Sequence, residues 1–142
     1  MQCENVNATD YNDTLVGDDN DNILWGWAGY DWFVPKGGND TIYGGADIDT
    51  VAYIDQLSSV YVNLTGNYAY VDGANKYDNL YDIENIQDTI YDDVLIGTIG
   101  DNIFYISDGN DTLYSLGGND FVSYEFRTGG VSVYLNESKT YK

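Results

Sequence analysis

An aspartate followed two residues later by an apolar side chain returns every nine residues through most of this chain. In GYDWFVPKGGNDTIYGGADIDTVAY, residues 29–53, the pairs are Asp31 and Phe33, Asp40 and Ile42, Asp49 and Val51. Nine matches neither the roughly 3.6-residue period of a helix nor the two-residue period of a strand, so the unit is larger than one element. Cut in nines from Ala8, residues 8–52 give five segments, and residues 88–123 give four more. The eighth place is apolar in all nine: Leu15, Leu24, Phe33, Ile42, Val51, Leu95, Phe104, Leu113 and Val122. The sixth is Asp in seven (Asp13, Asp31, Asp40, Asp49, Asp93, Asp111, Asp120) and Asn in two (Asn22, Asn102). A phase held through nine segments marks a repeated structural unit.

A longer duplication lies over the short one. At an offset of 80, YNDTLVGDDNDNILW (11–25) falls on YDDVLIGTIGDNIFY (91–105), and at an offset of 71, VAYIDQLSSVYVNL (51–64) falls on VSYEFRTGGVSVYL (122–135). The offsets differ by one nonapeptide, so the second run has one segment fewer. Each run is followed by an alternating stretch, Val60-Val62-Leu64 or Val131-Val133-Leu135, which reads as a strand with one buried face. The chain thus divides into a first module (1–64), a connector (65–87), a second module (88–135) and a short tail (136–142). Sixteen glycines, one proline and many Tyr, Val, Ile and Thr residues suit short strands joined by tight turns. No stretch keeps an apolar helical face, and the expected class is all-β.

Charge and missing residue types exclude several functions. Twenty-four acidic residues against five basic ones give a net charge of −19, the wrong sign for a phosphate backbone, so no nucleic-acid partner is expected. There is no histidine and only one cysteine, Cys3, so neither a common zinc or haem site nor a Ser-His or Cys-His triad can be assembled. No catalytic function is expected. No apolar run reaches the roughly 18 residues a spanning helix needs, and no membrane insertion is expected.

The nonapeptide pattern resembles the RTX, or haemolysin-type calcium-binding, repeat G-G-x-G-x-D-x-U-x, over residues 8–52 and 88–123. That resemblance implies a parallel β-roll (a β-solenoid) with two nonapeptides per turn and Ca²⁺ held in the glycine-rich turns. The fourth place is Gly only at 29, 38, 100, 109 and 118, which points to unequal turns. Elementary physics agrees with the resemblance. A three-residue strand x-U-x sends its middle side chain to one face, and stacked coils can bury these U residues between two sheets. With two nonapeptides per coil, residues 18 apart lie above one another. Asp13, Asp31 and Asp49 then form one column, with Asn22 and Asp40 in another. Asp93 stacks on Asp111, and Asn102 on Asp120. Strands about 4.8 Å apart would press like charges together, unless a hard cation takes several of their oxygens. These nine residues are the candidate ligands for several Ca²⁺ ions. An aspartate that only caps its own turn is the competing reading, and asparagine would serve that purpose equally well.

The seventh and ninth places should point outward. They carry Ile23, Trp25, Trp32, Val34, Tyr43, Ile103, Tyr105, Tyr114 and Phe121. Two readings stay open: the flanking segments 53–64 and 124–135 and the connector fold over them, or Trp25, Trp32, Tyr43, Tyr105, Tyr114 and Phe121 form an association surface. Residues 3–7 fall on 83–87, and Lys142 falls on Val71, so the chain starts and stops within the repeat, and head-to-tail self-association is expected. The functional expectation is a calcium-folded structural module of a secreted filament, adhesin or surface layer. An accessory module of a larger secreted toxin or hydrolase is the alternative, and a glycan-binding module using Trp and Tyr is a third reading.

Overall fold

The structure, a computed structural model, describes residues 4–71 and 76–130. Its regular elements are short strands: β1 (Asn5–Asn7), β2 (Thr14–Val16), β3 (Ile23–Ala28), β4 (Trp32–Val34), β5 (Thr41–Ala46), β6 (Thr50–Ala52) and β7 (Val60–Asn63). These are followed by β8 (Tyr68–Val71), β9 (Lys76–Tyr81), β10 (Asn85–Gln87), β11 (Val94–Ile96), β12 (Ile103–Tyr105), β13 (Thr112–Tyr114) and β14 (Phe121–Ser123). The chain coils between two facing sheets. One has the order β1-β3-β5-β9-β8-β7-β11-β13, and the other β14-β12-β10-β6-β4-β2. All pairs are parallel except β7 with β8 and β8 with β9. This is the expected parallel β-roll.

The 18-residue stacking is explicit in the register. Leu15 pairs with Phe33, Phe33 with Val51, and, beyond the connector, Ile86 with Phe104 and Phe104 with Val122. In the facing sheet Val6 pairs with Leu24, Leu24 with Ile42, and Leu95 with Leu113. Leu24, Phe33, Ile42, Val51, Ile86, Leu95 and Phe104 are fully buried and form the core with their neighbours. Each such side chain contributes about 1.5–3 kcal/mol of apolar transfer, which no single three-residue strand could gain alone.

Residues 65–87 do more than link two modules. Strand β7 stands three places beyond β5 in its sheet, and the chain returns through β8 and β9 as an antiparallel meander. Strand β9 pairs with β5 on one side, β7 pairs with β11 on the other, and β10 joins β6 to β12. Hydrogen bonding therefore runs unbroken from one run of nonapeptides into the other. Val60, Val62 and Leu64 are buried, as their alternation predicts. Their counterpart Val131–Leu135 lies outside the described residues.

The 71-residue offset also survives in three dimensions. Gln56 N–H donates to the Tyr53 carbonyl at 3.2 Å, and Arg127 N–H to the Tyr124 carbonyl at 3.1 Å. Gln56 Nε2 donates to the Lys36 carbonyl at 2.6 Å, and the Arg127 guanidinium to the Ser107 carbonyl at 3.2 Å. The reading in which segment 53–64 and the connector fold over the outward aromatic residues is corrected for β7, β8 and β9, while Phe126 of segment 124–135 does lie against Tyr105. Strands β7, β8 and β9 pair edge to edge with the roll rather than lying across it, because their free N–H and C=O groups are best satisfied in the sheet. Val34 is a second correction: expected to face out, it is buried, beside Val16 on the neighbouring strand.

Candidate metal centre

Each turn sets its sixth residue immediately before a strand, and this places the carboxylates along the two edges of the roll. The backbone N–H of one sixth-place residue donates to the carboxylate of the coil beyond. On one edge Asp13 N–H reaches Asp31 Oδ1 at 2.8 Å, Asp31 N–H reaches Asp49 Oδ1 at 2.9 Å, and Asp49 N–H reaches Glu84 Oε2 at 2.9 Å. Further along the same edge, Asn102 N–H donates to Asp120 Oδ1 at 3.0 Å. On the other edge Asn22 N–H donates to Asp40 Oδ1 at 2.8 Å and Asp40 N–H to Asp78 Oδ1 at 2.9 Å. Beyond the meander, Asp93 N–H donates to Asp111 Oδ1 at 3.0 Å. All nine residues singled out from the sequence stand in these columns. Asp78, Glu84 and Asp88 are additional carboxylates that the nine-residue phase did not reveal.

The turns are of two kinds. In 8–13, 17–22, 88–93 and 97–102 the second residue is Thr or Asp, and its N–H donates to the sixth side chain of the same turn. Thr9 N–H bonds Asp13 Oδ2, Asp18 N–H bonds Asn22 Oδ1, Thr89 N–H bonds Asp93 Oδ2, and Thr98 N–H bonds Asn102 Oδ1, each at 2.8 Å. The hydroxyls of Thr9 and Thr89 donate to the same carboxylates. These turns satisfy themselves, in the manner of Asx- and ST-turns.

The remaining turns are built differently. In 26–31, 35–40, 44–49 and 115–120 both the second and the fourth residues take positive φ: Trp27 and Gly29, Lys36 and Gly38, Gly45 and Asp47, Leu116 and Gly118. The left-handed conformation costs most non-glycine residues about 1–2 kcal/mol, so Trp27, Lys36 and Leu116 hold it against their own preference, while Asp47 tolerates it. In 106–111 only Gly109 does so. Here the second carboxylate oxygen is left over. Oδ2 of Asp31, Asp40, Asp49 and Asp111 is buried and has no hydrogen-bond partner. A buried carboxylate oxygen without a partner is costly, and something with positive charge must face it.

The space beside these oxygens suits an ion. A Cβ added to Gly26 would strike Asp31 Oδ2 and come within 2.6 Å of the Gly44 carbonyl. One added to Gly44 would strike the Asp82 carbonyl and meet Asp49 Oδ2 at 2.5 Å. The lining is therefore carboxylate and backbone carbonyl oxygen, the donor set of Ca²⁺ rather than of a softer metal. Electrostatics says the same. Burial pushes Asp40 and Asp49 up to about 7, with added repulsion from Asp78 on the first and from Asp31 and Glu84 on the second. Burial likewise raises Asp78 and Asp111 to about 6. A divalent cation bound here would stabilise the ionised forms.

The two kinds of turn predict unequal variants. Asp31→Asn removes charge from an oxygen that has no protein partner, and is expected to lower the number of calcium ions bound and the melting temperature in calcium. Asp13→Asn leaves Thr9 with an acceptor and is expected to change the stoichiometry little. Calcium titration of both variants checks this, and equal losses would mean that the turns do not differ.

The aromatic candidates do not gather in one patch. Trp25 stacks on Tyr43 at 5.7 Å, and Tyr43 on Tyr81 at 5.0 Å, on the outer face of one sheet, where Tyr114 also stands, half exposed. Trp32 lies 5.8 Å from Tyr105, and Tyr105 6.1 Å from Phe126, on the opposite sheet, which also carries the exposed Phe121.

No curated protein matches the chain. The family model for the RTX calcium-binding nonapeptide repeat matches it in four copies, over residues 4–33, 37–51 and 88–122, more than half of its length. Those matches enclose the nine aspartates and asparagines of the carboxylate columns, and the roll is the architecture that the repeats require: the chain belongs to the RTX calcium-binding nonapeptide repeat family and is a calcium-binding repeat module.

Proposed function

We propose that this module gives a secreted filament, adhesin or surface layer its stiffness, with calcium as a structural component of every glycine-built turn. The observation that carries the reading is the regular recurrence of buried carboxylate oxygens without hydrogen-bond partners along both edges of the roll. A cation needed at so many levels acts on the whole fold rather than on one reaction. The module on this reading has no catalytic role of its own. An extracellular setting fits, because open, carbonyl-rich sites of this kind work in the millimolar calcium found outside cells. No helix among the described residues is long and apolar enough to cross a membrane.

Self-association is the second half of the proposal. Aromatic side chains on both outer faces support it, with Trp27, Tyr114 and Phe121 each more than half exposed. Light scattering of the 142-residue chain in millimolar calcium, across a range of protein concentration, tests it. Growth of the scattering species with concentration is the expected result. A monomer throughout would reject self-association and favour an accessory module of a larger secreted toxin or hydrolase. Binding to a glycan array that is lost on replacing the Trp residues would favour the lectin reading.

A further inference from the structure

Residue 88 opens the first nonapeptide of the second run, at the place where Gly17, Gly26, Gly44 and Gly97 open theirs. In those turns there is no room for a side chain: a Cβ on Gly97, for example, would strike the Asn102 side-chain oxygen. Residue 88 is instead aspartate, and its side chain is completely buried. Its Oδ1 accepts the N–H of Ser107, in the turn of the next coil, at 2.8 Å. Its Oδ2 is buried and has no hydrogen-bond partner.

Asp88 points at the same place as two sixth-place carboxylates. Among the described residues, Asp88, Asp93 and Asp111 offer one oxygen each, all within 4.8 Å of one another. Asp93 is fixed by the N–H of Val60 at 2.7 Å and by Thr89, and Asp111 by the N–H of Asp93. Bound in this way, their oxygens keep lone pairs for a further ligand. One protein cation stands nearby. The Arg127 guanidinium lies 4.0 Å from Asp111 Oδ2, but its NH1 and NH2 donate to the carbonyls of Ser107 (3.2 Å) and Gly109 (3.1 Å), and it leaves Asp88 Oδ2 unpaired. Three carboxylates and one guanidinium leave two negative charges, which one divalent cation neutralises.

We propose that Asp88 completes a three-carboxylate calcium site with Asp93 and Asp111, tighter than the sites in the glycine-built turns. The proposal rests on the reading that these repeats bind calcium. Calcium affinity rises with the number of charged ligands, and among the described residues Asp88, Asp93 and Asp111 are the group that brings three acidic ligand atoms within reach of one ion.

Calorimetric titration of calcium into the chelator-stripped full chain is the test. In the wild type, one ion should bind about tenfold or more tightly than the rest, as an added carboxylate ligand implies. Asp88→Asn keeps the acceptor for Ser107 and removes the charge; it should abolish this tight class and leave the weaker ions in place. Asp88→Gly, which restores the residue common at this place, should do the same and serves if the first variant does not fold. Circular dichroism in calcium monitors folding of each. A wild-type isotherm with a single class of ions would overturn the proposal, as would variant isotherms that superimpose on it. If the wild type took up no calcium at all, the calcium reading of the whole chain would fall with it.

Discussion

Stripped of calcium at pH 8, this protein is expected to lose its β-sheet circular dichroism and its cooperative melting transition, and to regain both on titration with calcium. Five carboxylates, Asp31, Asp40, Asp49, Asp88 and Asp111, each bury an oxygen that no protein group contacts through a hydrogen bond. Even after relaxation, a buried uncompensated charge costs several kcal/mol. The whole stability of a domain this size is about 5–15 kcal/mol, so two or three such charges are enough to unfold it. The net charge of −19 adds general repulsion in the compact state. Calcium reverses the balance by mass action, contributing about 2.7 kcal/mol per site when present at a hundred times its dissociation constant. An unchanged β spectrum in excess chelator would contradict this.

The second large effect is a reversal of pH dependence. Burial raises Asp40, Asp49 and Asp88 from an ordinary value of 3.8 to about 7, and Asp78 and Asp111 to about 6. Between roughly pH 4 and pH 7 the calcium-free folded state therefore holds protons that the unfolded chain has released. Stability falls with rising pH wherever the folded state binds more protons, by about 1.4 kcal/mol per pH unit for each such group. The contribution is fully present below pH 3.8 and is lost as the pH passes through 6 to 7. Asp18 and Asp108 work the other way, held low by hydrogen bonds from Asn20 and Thr128, but both are open to solvent, where their effect is small. With calcium the sign turns, because the ion competes with those protons and binds more tightly as they leave. From pH 5 upward the melting temperature should fall in chelator until the transition is lost, and should hold or rise in calcium. A chelated protein that melted higher at pH 8 than at pH 5 would refute the assignment of these groups.

Much of this was legible in the sequence, because the period is written twice, once in the aspartates and once in the apolar eighth place. Phe33 and Val51 could be placed one above the other from their 18-residue spacing once the resemblance to RTX repeats implied two nonapeptides per coil. The carboxylates that escaped notice did so for a definite reason. Asp78-Asn79-Leu80 and Glu84-Asn85-Ile86 carry the same acidic-x-apolar signature as Asp31-Trp32-Phe33. They follow their stacking partners Asp40 and Asp49 by 38 and 35 residues instead of 18, since β7 and β8 intervene. Cutting the chain in nines steps over both. Asp88 opens a nonapeptide where glycine opens four others, and only its burial shows it to be a substitution with a use. The division between self-satisfied and open turns depends on whether a second carboxylate oxygen is already bonded. The Thr or Asp in second place hints at this, but only the positions of the atoms decide it.

The unequal strand counts of the two sheets have a consequence for how such a chain can lengthen or shorten. Successive nonapeptides alternate between sheets, so sheet membership is a matter of parity: gaining or losing two preserves it, and gaining or losing one inverts every strand downstream. The two runs here differ by one, and equivalent strands at their starts, β2 and β11, do lie in opposite sheets. By the ends of the runs β6 and β14 share a sheet again. The meander spares the rest of the roll from inversion. It enters from β6, places β7, β8 and β9 in a single sheet, and hands the chain back to β10 beside β6. For parity its three strands count as one, which is why, among the described residues, one sheet holds eight strands and the other six. Replacing one strand by an odd number on the same sheet, as the meander does, is thus the change this architecture can absorb without moving the strands downstream to the other sheet.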